Sequence, residues 1–119
     1  MNTTNTITTA LENQIILNNK VYLVGEVDSL PKYSHELFGE GFYEFNIKVA
    51  RLSNQIDIIP LTVSERLMNE ANLEIGKRIA LNGQFRSYNK IIDEKSKLML
   101  TVFVREFCGN NIIGPGYSC

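Results

Sequence analysis

Between Arg86 and Lys97 the chain reads RSYNKIIDEKSK, with Arg86, Lys90, Lys95 and Lys97 set around Tyr88. Cations spaced along a segment neutralise the phosphates of a polyanion, and a flat side chain among them stacks on a base. That chemistry is binding, and it needs no reacting group. The rest of the chain offers little for catalysis. The single histidine, His35, lies in a polar stretch without a serine or cysteine motif, and no glycine-rich phosphate loop follows a strand. Carboxylates are scattered on apparent solvent faces. Asp57 is the exception, inside an apolar strand, where a neighbouring donor that satisfies it is a better account than a general base. Catalysis is not expected.

The charge pattern points the same way. The net charge is only −1, yet residues 1–75 carry five basic and ten acidic side chains. Residues 76–105 carry seven basic (Lys77, Arg78, Arg86, Lys90, Lys95, Lys97, Arg105) and two acidic ones (Asp93, Glu94), a local balance of +5. A polyanion is expected to dock on that late segment. The phosphate candidates are Lys48, Arg51, Arg78, Arg86, Lys90, Lys95 and Lys97. Any one of them alone is more often a solvated surface charge, so the case rests on their clustering.

The flat side chains are five tyrosines and six phenylalanines, with no tryptophan. Phe45 and Phe85 share parity with aliphatic neighbours and are assigned to the core. Tyr22, Phe42, Tyr88 and Phe103 have the opposite parity, and Tyr33 and Phe38 fall in a loop. Tyr88, between Arg86 and Lys90, is the best stacking candidate, helped by Phe42 or Tyr22; for Tyr22 a subunit interface is the better account. Ile56, Ile58 and Pro60 form an apolar row on the non-core face of their strand, beside Thr62. Such a row should not be left in water. It is a base-stacking floor, a protein contact or a surface covered by the tail, and the sequence alone does not separate these.

These residues need strands to position them. Lys20 to Leu30 is a first strand, with Val21, Leu23 and Val27 on one face and Gly25 at a bulge or tight bend. Pro31 to Gly41 reads as a loop or distorted hairpin. Phe42 to Arg51 alternates cleanly, Tyr43, Phe45, Ile47 and Val49 against Glu44, Asn46 and Lys48. Asp57 to Val63 is apolar and β-branched. Ser64 can cap a short helix that begins at Glu65 and presents Leu67, Met68 and Ala71 on one face, with Gly76 stopping the helical region. Lys77 to Arg86 is the fourth strand, Ser87 to Lys97 a polar loop, and Leu98 to Phe107 the fifth strand. An all-β chain with one short helix between strands three and four is the arrangement of a five-stranded OB barrel, a fold that often binds oligonucleotides.

The chain's 119 residues suit one OB domain at 19–107, preceded by a partly disordered extension at 1–18 and followed by an irregular tail at 108–119. No apolar run approaches a membrane span, and the Asn/Thr-rich start is not a secretory signal. Cys108 and Cys119 are read as two reduced thiols of a cytoplasmic protein. With one distant histidine they make no metal site, and no cofactor is expected.

The opening NNKVYLVGEV resembles the first strand of the bacterial single-stranded DNA-binding (SSB) proteins. The run Ile56 to Gly76 repeats that family's strand, helix and glycine. GQFRSY at Gly83–Tyr88 is similar to its fourth-strand ending, which leads into a long basic hairpin. The likeness spans roughly residues 18–107. It implies an OB barrel assembling into a homodimer or homotetramer, partly through the first strands. Single-stranded DNA would wrap over the barrels with little sequence preference, during replication, recombination or repair. The family's stacking tryptophan and phenylalanine of the third strand fall on Ile56 and Thr62, and Tyr88 is a near counterpart of the fourth-strand aromatic. The acidic tail through which the family recruits replication and repair enzymes has no counterpart in GPGYSC. The alternative is an accessory factor of the primosomal replication protein N type, also an OB dimer, which acts mainly through protein contacts.

Overall fold

Strands dominate because β-branched and aromatic residues alternate with polar ones through most of the chain. The computed structural model describes residues 19–108. Its elements are β1 (Val21–Val27), β2 (Lys32–Leu37), β3 (Glu40–Ala50), β4 (Ile56–Ser64), α1 (Glu65–Ala71), β5 (Arg78–Ile92) and β6 (Lys95–Phe107). The strands pair in the order β1-β5-β6-β4-β3-β2, and β1 also pairs with β3 through Glu26↔Lys48 and Val27↔Ile47. That last pairing closes β1, β5, β6, β4 and β3 into the expected five-stranded ring. All neighbours are antiparallel except β4 and β6, which meet in parallel at Leu61↔Val102 and Thr62↔Phe103.

The inward faces supply a core of Val21, Val27, Phe45, Ile47, Leu61, Val63, Ile79, Leu81, Val102 and Val104. Leu67, Met68 and Leu73 bring α1 and the residues after it onto this core. Ser64 caps α1, its side chain accepting from the Leu67 amide at 3.3 Å, a contact typically worth about 1 kcal/mol. At the other end Asn72 takes the left-handed conformation (φ 49°), and Lys77 Nζ donates to the Ala71 and Asn72 carbonyls. Gly25 has a different reason from the expected bend. A Cβ there would run into the backbone carbonyl of Lys48, so glycine lets β1 cross close over β3 and seal the ring.

Of the two alternatives for Pro31 to Gly41 the structure has the distorted hairpin: Lys32–Leu37 forms β2, which folds onto β3 outside the ring with a register shift between Tyr33 and His35. Two other expectations need correction. Ser87 to Lys97 is not a loop. The β5–β6 ladder runs unbroken to Ile92↔Lys95, and only Asp93 and Glu94 turn, with φ of 52° and 65°. Two consecutive positive φ values are what a tight hairpin turn requires, and they let polar residues continue as a two-stranded arm. Phe85 is not core. It sits on the inward parity opposite Val102 but is 54% exposed. The β1–β5 ladder begins at Val21↔Gly83, and beyond it the Asn19 side chain alone bonds the Phe85 amide and carbonyl, at 2.9 and 3.1 Å. Phe85 thus overhangs the rim where the ring ends.

A third correction is chemical: Cys108 is disulfide-bonded rather than a free thiol. The expected N-terminal extension and the tail beyond Cys108, with Cys119, lie outside the described residues. No described helix is long and apolar enough to cross a membrane.

Candidate nucleic-acid interface

Strand pairing decides which outward side chains become neighbours. On the outer face, Phe42 and Glu44 of β3 stand beside Ser64 and Thr62 of β4, Thr62 beside Phe103 of β6, and Phe103 beside Gln84 of β5. With β2 added by His35, five strands converge on one hollow of about 350 Å³, lined by His35, Phe42, Arg86, Tyr88 and Phe103 together with Glu44, Thr62 and Thr101. The rings are ordered. His35 stacks on Phe42 at 5.1 Å and 16°, and Phe42 meets Phe103 at 5.6 Å, tilted 45°. The Arg86 guanidinium lies 3.9 Å from the centre of the Phe103 ring, a cation–π contact. Gln84, with its amide oxygen turned toward the arginine, accepts from Arg86 at 2.8 and 3.1 Å and fixes that plane.

The floor is a satisfied hydrogen-bond chain. Thr101 Oγ1 donates to the Pro60 carbonyl at 3.1 Å, so Thr62 Oγ1 donates to Thr101 Oγ1 at 2.9 Å. Both hydroxyls are buried. Burial, with the charge of Glu44 as a smaller cause, pushes the Tyr88 phenol up from its ordinary value.

From this hollow the same face continues in two directions. Along the arm, Arg86, Tyr88, Lys90 and Ile92 of β5 lie opposite Thr101, Met99, Lys97 and Lys95 of β6. Arg86, Lys90, Lys95 and Lys97 join no ion pair among the described residues. The arm's other face holds Phe85, Ile91, Leu98 and Leu100, all exposed, so the arm is cationic on one side and apolar on the other. Along β4 the face carries Pro60, Ile58 and Ile56, the last two 49% and 60% exposed, with Lys48 directly opposite Ile58. Beyond them Lys48, Ile56 and Arg78 line a smaller hollow at the crossing of β1 and β3.

The structure thus gathers Phe42, Arg86 and Tyr88 at one hollow, Lys90, Lys95 and Lys97 on the adjoining arm, and Lys48, Arg78, Ile56 and Ile58 at the other end of the face. Lys48 also pairs with Asp28 at 3.5 Å. Arg51 is set apart. It forks onto Asp57 with bonds of 2.8 and 2.6 Å, and that hydrogen bonding lowers the Asp57 carboxyl and raises the arginine. Asp57 therefore has the neighbouring donor expected for it. Tyr22 lies opposite Asn82 on the outer surface of β1 and β5 and lines neither hollow. His35, Ser34 and Glu44 were not singled out as site residues from the sequence. The alternation of Glu44 with Tyr43 and Phe45 signalled an outward position, and the hairpin alternative for Pro31 to Gly41 was the signal that residues 32–37 would fold back beside it. Phe103 carried the outward parity but no cation near it in sequence.

No protein-family model matches the chain, and no curated protein sequence matches it. Among solved structures, the dimeric N-terminal domain of a PriB protein from Thermoanaerobacter tencongensis is 47% identical to this chain. That likeness covers 76% of this chain and 93% of the PriB domain, at a TM-score of 0.65. A small single-stranded DNA-binding protein from Streptomyces coelicolor shares 14% identity over 77% of this chain and 94% of its own, at a TM-score of 0.58. The SSB of Plasmodium falciparum, solved in complex with single-stranded DNA, shares 18% identity over 71% of this chain and 84% of its own, also at 0.58. The last two likenesses establish a common fold.

Proposed function

The chain belongs to the family of the PriB N-terminal domain, and from that premise we propose that it binds single-stranded DNA with little dependence on sequence. The observation that carries this reading is the Arg86 guanidinium seated on Phe103, beside Phe42 and Tyr88, on a face that runs onto an arm whose lysines join no ion pair among the described residues. Aromatic rings supply platforms for bases and the arm supplies charge for phosphates, the two requirements of single-strand binding. The apolar row Ile56, Ile58 and Pro60 extends the platform along β4, and Lys48 and Arg78 serve its far end. Arg51 contributes least, since Asp57 already occupies its fork. The protein acts by binding and not by catalysis, in replication, recombination or repair.

It does so as a homo-oligomer. The 47% identical relative is dimeric, and the apolar side of the arm (Phe85, Ile91, Leu98, Leu100) gives a second copy a surface that leaves the cationic side free. Titrating labelled oligo-dT at two salt concentrations tests the binding. Salt-sensitive affinity for the single strand and little for duplex is expected, and no binding at low salt rejects the reading.

One observation favours a second reading. The PriB likeness suits an accessory factor acting mainly through protein contacts with replication or repair enzymes. That role requires tight binding to a replicative helicase together with weak oligonucleotide binding, which the same titration separates from the first.

A further inference from the structure

The hollow on the outer face contains a carboxylate, which a surface meeting only phosphates would exclude. Glu44 stands on β3 opposite Thr62 and lines the hollow together with Phe42, His35, Tyr88 and Phe103. Its Oε1 accepts from Ser34 Oγ at 3.1 Å, and Ser34 Oγ lies 2.9 Å from His35 Nδ1. Since the serine proton goes to Glu44, Ser34 accepts from Nδ1–H of His35. A relay of two donors thus holds one oxygen of Glu44 in place. Oε2 has no hydrogen-bond partner among the described residues, and Glu44 lines a hollow with aromatic walls. A carboxylate anchored through one oxygen, with the other free to accept, in a hollow lined by aromatic rings is suited to the edge of a flat heterocycle.

We propose that this hollow takes a single nucleobase and that Glu44 selects one bearing an exocyclic amine, preferring cytosine to thymine. The inference rests on the reading of this face as a single-strand binding surface, and it adds a base preference to it. Cytosine N4–H2 donates to Glu44 Oε2. Thymine and uracil present O4 at the same position, an acceptor against an acceptor, and one partner is then left without a bond. Stacking does not discriminate among these pyrimidines, so the preference resides in the carboxylate. Cations on the arm bind the flanking phosphates whatever the base.

The test compares short labelled oligo-dC, oligo-dT and oligo-dU at pH 8 and low salt, with the wild-type chain and the Glu44→Gln variant. For the wild type dC is expected to bind about tenfold more tightly than dT or dU, and in Glu44→Gln the gap is expected to close to about twofold, because an amide can also donate to O4. Equal wild-type affinities for dC and dU overturn the inference while leaving single-strand binding intact. So does a dC preference that survives in Glu44→Gln. Failure of all three oligonucleotides to bind removes the underlying reading with it. The wild-type comparison decides the matter even if the variant folds poorly.

Discussion

Lys90 and Lys97 are direct cross-strand partners in the β5–β6 arm, and no carboxylate pairs with either among the described residues. Like charges placed opposite each other cost a ladder stability. A phosphate between them would relieve that cost. The arrangement lowers the stability of the free arm and favours an anion on its surface.

Replacing Lys97 with Glu should therefore separate the two effects. The arm gains a favourable pair, expected to raise stability by roughly 0.2–1 kcal/mol. Oligonucleotide affinity falls, and Lys97→Gln lowers the slope of log K against log salt by about 0.7 for the one cation removed. Thermal unfolding and a salt series measure these independently. An unchanged slope would mean that the arm does not touch phosphate.

The Arg86–Phe103 contact makes a sharper statement about bases. Phe103→Leu removes the platform and is expected to cost about 1–3 kcal/mol of oligo-dT binding. Arg86→Lys keeps the charge but loses the flat guanidinium, so affinity drops while the salt slope holds. If Arg86→Lys binds like wild type, Arg86 acts only as a point charge.

Leu98→Lys combined with Leu100→Lys places charge on the apolar side of the arm, away from Arg86 and Tyr88. Sedimentation should show a smaller species, because a second copy no longer buries that side. An unchanged mass would assign the assembly to another surface.

The raised phenol of Tyr88 gives an alkaline signature. The folded chain keeps this proton where the unfolded chain loses it. Its stabilising contribution is therefore complete below the unfolded value near 10.0 and is lost as pH rises through the higher folded value. Denaturant midpoints taken from about pH 9 upward should fall less steeply in Tyr88→Phe than in the wild type. Parallel curves would contradict the shift.

Gly25→Ala tests the closure of the ring. The added Cβ meets the Lys48 carbonyl oxygen, with its carbon and Val49 Cγ2 both at 3.2 Å, so β1 must move. A loss of about 1–3 kcal/mol is expected. Gly41→Ala is the control: its nearest neighbour is the Glu65 carboxylate at 3.5 Å, and unfolding should change little. A Gly25→Ala melting temperature equal to that of Gly41→Ala would mean that the crossing is loose.

Local patterns in the sequence carried much of this. The alternation from Tyr43 to Val49 marked the inward face of β3, Ser64 marked the start of α1, and the late run of cations marked the arm, because each depends on residues a few positions apart. The outward parity of Ile56 and Ile58 was legible for the same reason. What lay next to each outward residue was not. Phe42, Phe103 and Arg86 meet only because β4 lies between β3 and β6 and pairs with both, and His35 joins them only because residues 32–37 fold back on β3. Phe85 has the parity of a core residue, yet its exposure is set by where the neighbouring strand β1, distant in sequence, stops pairing. Side-chain period tells which way a residue points. Strand order, made by hydrogen bonds between distant segments, decides what it meets there.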